Sequence, residues 1–219
     1  MKTPQERKAL SETKIKAQGI GIFEGLPMLP AAEEVTLKSF DEICKRAIAS
    51  LICTQIACEI AEENYKDIGF FVDMLKKYGV SDCLNEKENH LVSGMFSRQD
   101  AVDVMWEYEC YWSLVWALGL IDDIQDASQI CDCEKAVHLV ADYETYESFK
   151  SQCKPRDIEE VLDMLDLYYR YHWACVQHKH IDKNCSIGNL NEEVVYERRR
   201  GLEWLISEEN NWHDIELHT

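Results

Sequence analysis

The sequence has no run of 18 or more apolar residues, which excludes a membrane-spanning helix of ordinary length. Its basic start, Met-Lys-Thr-Pro-Gln-Glu-Arg-Lys, has no apolar stretch behind it, so no secretory leader is expected. Positive charge is scarce: 23 Lys and Arg face 41 Asp and Glu, a formal net charge of −18. That balance disfavours attraction to nucleic acid or to an anionic membrane and reads chiefly as a solubility feature. Ten cysteines are present without one Cys-x-x-Cys pair. Cys44, Cys53, Cys110 and Cys175 fall inside helical patterns, where a thiol acts as a small buried hydrophobe, and scattered thiols of this kind fit a reducing cytoplasm. The chain also lacks a Gly-rich phosphate loop, a Gly-x-Ser-x-Gly elbow, sustained strand alternation, repeats and low-complexity tracts.

What is present is helical punctuation. A helix over about 4–18 stops at Gly19-Ile-Gly21, and Pro27 and Pro30 keep residues 22–30 extended. Ser39 with Glu42 forms a capping box ahead of a long helix to about residue 63. Asp67 is placed to cap a helix ended by Gly79, Asn85 with Glu88 starts a short one, and Ser97 with Asp100 starts a longer one that stops at Gly119. Asp132 caps a further helix, 143–152 is helical, Pro155 opens a helix reaching about residue 180, and Asn191 caps the last. The fold expected is all-α, a single compact multi-helix domain of about eight or nine helices over residues 1–219. Its N-terminal helix and extended linker, 1–35, are expected to pack on the body.

Three of these helices carry charge on their apolar faces. Val102, Met105, Trp106, Glu109, Trp112, Ser113 and Trp116 share one stripe, which puts Glu109 among tryptophans. In the 155–180 helix, Asp163, Asp166, Arg170 and His172 lie on or beside a stripe that includes Ile158, Leu162, Leu165 and Trp173. In the last helix Arg198 and Arg199 lie between Val195 and Leu202. A buried carboxylate needs a partner, and an arginine pairs best with one in bidentate fashion. Asp166 and Arg170 are therefore expected to answer Arg198, Arg199 and Glu109 in one ionic core.

The motifs Trp106-x-x-Glu109, Leu114-Val-Trp-Ala-Leu-Gly119 and Cys131-Asp132 are followed by Arg156-x-x-Glu159-x-Val-Leu-Asp-x-Leu-Asp166-Leu-x-Tyr-Arg170-x-His-Trp173. Then come Val195-x-Glu197-Arg-Arg199-x-x-Leu-x-Trp204-Leu and Trp212-x-Asp214. With Leu29-Pro30 and Glu42-x-x-x-Arg46-Ala47, this series resembles the bacterial family called domain of unknown function 4272 over nearly the whole chain. The resemblance implies no activity, substrate or cofactor. It implies that Glu109, Asp166, Arg170, His172, Trp173, Glu197, Arg198 and Trp204 are signature positions. The chain departs from the pattern at Glu107, where a basic residue is expected, and at His213, where an acid is.

Other chemistries have weaker signals. Asp122-Asp123-Ile-Gln-Asp126 has the carboxylates of a magnesium-diphosphate box but falls beyond Gly119, off the helix that should present it, and reads as a solvated loop. Cys131, Cys133, His138, His172, His178, His180 and Cys185 include zinc-type ligands without zinc-site spacing, so neither metal nor cofactor is expected. Trp112, Trp116, Trp173 and Trp204 are expected to line the polar core. The function expected is therefore a cytoplasmic α-helical binding or interaction protein, its partner a protein or a small molecule, with a structural network of Glu109, Asp163, Asp166, Arg170, His172, Glu197, Arg198 and Arg199. The alternative is an enzyme or small-ligand receptor with a polar pocket around Glu109, Asp166, Arg170 and His172.

Overall fold

A computed structural model describes residues 1–219 and is all-helical, with nine α-helices and no strand. They are α1 Pro4–Ala17, α2 Phe40–Ala61, α3 Ile68–Tyr78, α4 Glu86–Ser93, α5 Arg98–Ala117, α6 Cys133–Ala141, α7 Tyr146–Gln152, α8 Ile158–Val176 and α9 Glu192–Trp204. No helix is long and apolar enough to cross a membrane.

Local chemistry explains the starts. Reciprocal side-chain-to-backbone boxes close at Ser39 with Glu42, Asn85 with Glu88 and Ser97 with Asp100. Thr3 with Glu6 makes another, ahead of Pro4. Two expected starts are corrected. Asp67 sits in the helical region and makes no cap bond; its carboxylate accepts instead from the Asn64 amide at 3.1 Å. Pro155 does not open α8: the cap is Asp157, whose carboxylate accepts from the Glu160 amide at 2.9 Å. The competing signal was an Asp with a Glu three residues on, which satisfies two amide groups where Pro155 merely spares one.

The chain forms two compact units, each discontinuous in sequence. The first comprises 1–37, 123–130 and 156–219 and contains α1, α8 and α9. Its extended linker is held down by cations on the helices. Arg7 donates to the Pro30 carbonyl at 3.3 Å, Lys8 to Leu26 at 2.7 Å and Arg170 to Pro27 at 3.5 Å. The second unit comprises 38–122 and 131–155 and contains α2 to α7, with α2 packed along α5. Ala47, Ala49 and Ala57 are fully buried on α2, so the neighbouring backbone can approach closely.

Gly119, just past α5, shows how tightly the second unit is closed. Its φ is +72°, and a Cβ there would run into the carbonyl oxygen of Lys154, whose amide donates to Leu118 at 2.8 Å. Gly119→Ala therefore meets both a left-handed backbone cost of roughly 1–2 kcal/mol and a collision with main chain. Gly79, at φ +67° with open space around it, meets the backbone cost alone. Urea unfolding should show Gly119→Ala to be clearly the more damaging of the two. Equal losses would mean that the Lys154 contact is unimportant.

Candidate functional site

The charged residues expected in the core are placed as follows. In the first unit Asp166, 1% exposed, receives a two-pronged bond from Arg170, Nε at 2.9 Å and Nη2 at 2.7 Å. The i, i+4 spacing on α8 lets one turn of helix set this geometry. Glu12 on α1 stands 3.7 Å from the remaining Arg170 nitrogen. Asp163 lies at the rim, 35% exposed, and pairs with Lys2 and with Arg7 at 3.1 Å. Arg7 is almost fully buried and also holds Glu159 at 2.9 Å, a cross-link between α1 and α8 that helical periodicity does not reveal.

Arg198 and Arg199, adjacent on α9, do different work. Arg198 donates to the carbonyls of Ile124 at 3.2 Å, Asp126 at 2.6 Å and Gln129 at 3.3 Å, and to the Tyr168 hydroxyl at 3.2 Å. It thereby organises the 123–130 loop. In that loop Asp123 accepts from the amides of Ile124 and Gln125, and Asp126 from Ser128, so these acids shape turns. No group of three or more His, Cys, Asp or Glu side chains is arranged to hold a metal ion. Glu197 pairs with Arg200 through both carboxylate oxygens, at 3.0 and 2.7 Å. In the second unit Glu109, 1% exposed, accepts from the Cys131 amide at 2.6 Å.

The tryptophans are mostly core. Trp112 and Trp116 are buried on α5, Trp173 stacks on Phe23 with centroids 5.8 Å apart, and Trp204 meets Trp212 edge-on at 6.3 Å. The outer part of the expected α5 stripe is not buried, since Val102 is exposed.

Arg199 leads to an open site. Its Nε and Nη2 hold Glu203 at 3.3 and 3.2 Å, its plane lies over the Tyr169 ring at 4.8 Å, and its Nη1 is 2.6 Å from Nδ1 of His172. A guanidinium can only donate, so Nδ1 accepts and the imidazole hydrogen sits on Nε2. Burial, with the Arg199 charge beside it, pushes the His172 pKa down to about 4. The ring is neutral at pH 7 and rests edge-on against Tyr196, 5.3 Å between centroids. Only Nδ1 of the imidazole is bonded within the protein, and the ring lines a cleft of about 250 Å³.

That cleft is built from the end of α8 and the start of α9. Cys175, Val176, Lys179 and His180 face Glu192, Glu193 and Tyr196 across it. Burial pushes the Cys175 thiol up to about 12, so it carries no charge. Lys179 bridges Glu192 at 2.9 Å and Glu193 at 3.6 Å. Here α8 widens into a π turn, Gln177–Ile181, a distortion found disproportionately at functional sites. A larger groove of about 560 Å³ involves Gln18, Asp123, Asp126 and Tyr171. Its buried hydroxyl, Tyr171, is already satisfied by Gln18 at 2.8 Å, and its acids serve their own turns.

The second unit holds a buried charge cluster that sequence reasoning missed. Arg46 of α2 contacts Glu88 of α4 and donates to the Cys83 carbonyl. Asn85 donates to Glu107 of α5 at 3.0 Å, and Glu88 and Glu107 are both fully buried. Burial outweighs the pull of Arg46, and with Glu107 adjacent it pushes the Glu88 carboxyl up to about 8. A legible signal existed, because Arg46 lies among Ile43, Ala47 and Ser50, and Glu107 lies between Val104 and Tyr111.

A comparison with family models matches residues 7–215 to the one described as "Domain of unknown function (DUF4272)". The chain belongs to that family. Within the family's span lie both the Arg199–His172 arrangement and the Arg46–Glu88–Glu107 cluster. No curated protein and no solved structure matches the chain.

Proposed function

We propose that this family member is a cytoplasmic α-helical binding protein, that its recognition site is the His172 cleft, and that its Asp–Arg pairs are structural. The observation that carries the reading is His172 itself. It is a neutral imidazole more than nine-tenths buried, fixed by Arg199, with its remaining N–H free of protein partners and facing a cleft. That N–H is open to the cleft, so a ligand acceptor can bond to a donor already fixed in direction by Arg199. Binding is favoured over catalysis because general acid–base chemistry needs a pKa near the working pH. His172 at about 4 and Cys175 at about 12 lie far on either side of neutral. The ten free cysteines support a reducing compartment.

The test is a screen of small polar fragments against protein carrying ¹⁵N-labelled histidine. Binders should move the His172 ring signals, and Val176→Trp, which fills the cleft, should abolish the effect without lowering the melting temperature. Fragments that bind only elsewhere, or that still shift His172 in the filled variant, would overturn the assignment.

A further inference from the structure

The His172 cleft has opposite electrical characters at its two ends. Inside, the free Nε2–H is backed by the Arg199 guanidinium 2.6 Å from Nδ1, which polarises the ring toward an acceptor and favours one that carries negative charge. At the mouth stand Glu192 and Glu193, with side chains 27% and 56% exposed, against the single cation Lys179. Lys179 offsets one carboxylate and leaves the other. The rest of the lining is Val176, the un-ionised Cys175, the Tyr196 ring and His180, none of which adds a fixed charge at pH 7.

A plain anion reaching His172 would have to pass a mouth with excess negative charge. A plain cation would satisfy the mouth and make no use of the inner N–H that Arg199 holds in place. We infer that the cleft takes a small zwitterion, an amino-acid-type molecule whose carboxylate accepts from His172 Nε2–H and whose ammonium balances the second of Glu192 and Glu193. The inference rests on the reading of the cleft as a binding site and adds the chemical class of its ligand. No covalent step is involved. The His172 proton stays on Nε2, and Lys179 remains bridged to its acids.

The experiment titrates five probes into the full chain labelled with ¹⁵N-histidine at pH 7. Glycine, β-alanine and γ-aminobutyrate carry both charges at increasing separation; acetate and ethylamine carry one each. At least one zwitterion should shift the His172 signals with an affinity at least about tenfold above both single-charge probes, a difference of roughly 1.4 kcal/mol or more. In the Glu192→Gln, Glu193→Gln double variant, zwitterion binding should weaken by about the same factor and acetate binding should not weaken. Both substitutions lie at the exposed mouth, and an unchanged melting curve confirms the fold. If acetate or ethylamine matches the best zwitterion, the ligand class is wrong and the cleft stands as a site. If no zwitterion moves His172, the ligand class is overturned, and the fragment screen with Val176→Trp decides separately whether the cleft binds anything.

Discussion

Replacing Arg46 by Met should cost about 3–5 kcal/mol of folding stability at pH 7, the range seen when one partner of a buried ion pair is removed. Its guanidinium lies between α2 and α4, contacts Glu88 and is held by the Cys83 carbonyl. The cluster contains two buried carboxyl groups and one buried cation, so it balances when a single proton stays on the acids. Because the Glu88 carboxyl is pushed up to about 8, that proton is largely in place at neutral pH. Glu88→Gln, which copies the protonated form in shape, should therefore cost far less than Arg46→Met. Guanidinium denaturation of the two variants gives the comparison. A Glu88→Gln loss as large as that of Arg46→Met would mean that Glu88 is ionised and that the description of the cluster is wrong.

The same group predicts a pH dependence with a definite sign. An unfolded glutamate titrates near 4.3, and in the folded chain Glu88 titrates at about 8. Between these values the folded state holds a proton that the unfolded state has lost, so its contribution to stability declines as pH rises. The contribution is complete below the unfolded value and gone once pH passes through about 8. Stability of the parent chain should fall across this window, and the Glu88→Gln chain should fall less steeply.

How much of this was readable in advance depended on the range of the interaction. Ser39–Glu42, Asn85–Glu88 and Ser97–Asp100 were legible because each box closes within one turn and needs no tertiary contact. Gly79 and Gly119 were legible as stops for the same reason. The pairing of Asp166 with Arg170 is also local, one turn apart on α8, although both were expected to answer Arg198, Arg199 and Glu109 rather than each other. Arg46 with Glu88 spans 42 residues and Arg7 with Glu159 spans 152, and no local pattern ranks such partners. Instead the amphipathic α5 stripe drew attention to Glu109 and away from Glu107, on another buried side of the same helix. The site itself was half legible. His172 was recognisable as a polar residue on a buried face. Its neighbour Arg199 was expected to look for a carboxylate, and it does hold Glu203, one turn on along α9. The second partner, the imidazole, could be identified only once α8 and α9 were placed side by side.

Whether the charges of the first unit serve stability or recognition turns on Arg170. Arg170→Ala strips the two-pronged partner from Asp166, which is 1% exposed, and should cost about 3–5 kcal/mol in a thermal or denaturant melt. Part of that loss comes from packing, since the Arg170 stem and guanidinium lie beside Tyr169 and over the linker carbonyl of Pro27. The control is an apolar pair, Asp166→Leu with Arg170→Met. Exchanging both members of a buried ion pair for well-packed hydrophobes is commonly neutral or stabilising, so the double variant should recover most of what the single one loses. Such recovery, with His172 still responsive to ligand, would separate the two roles: Asp166 and Arg170 hold α8 to its neighbours, and recognition belongs to the next turn. An Arg170→Ala chain as stable as the parent would reverse that division and move Arg170 from the framework into the site.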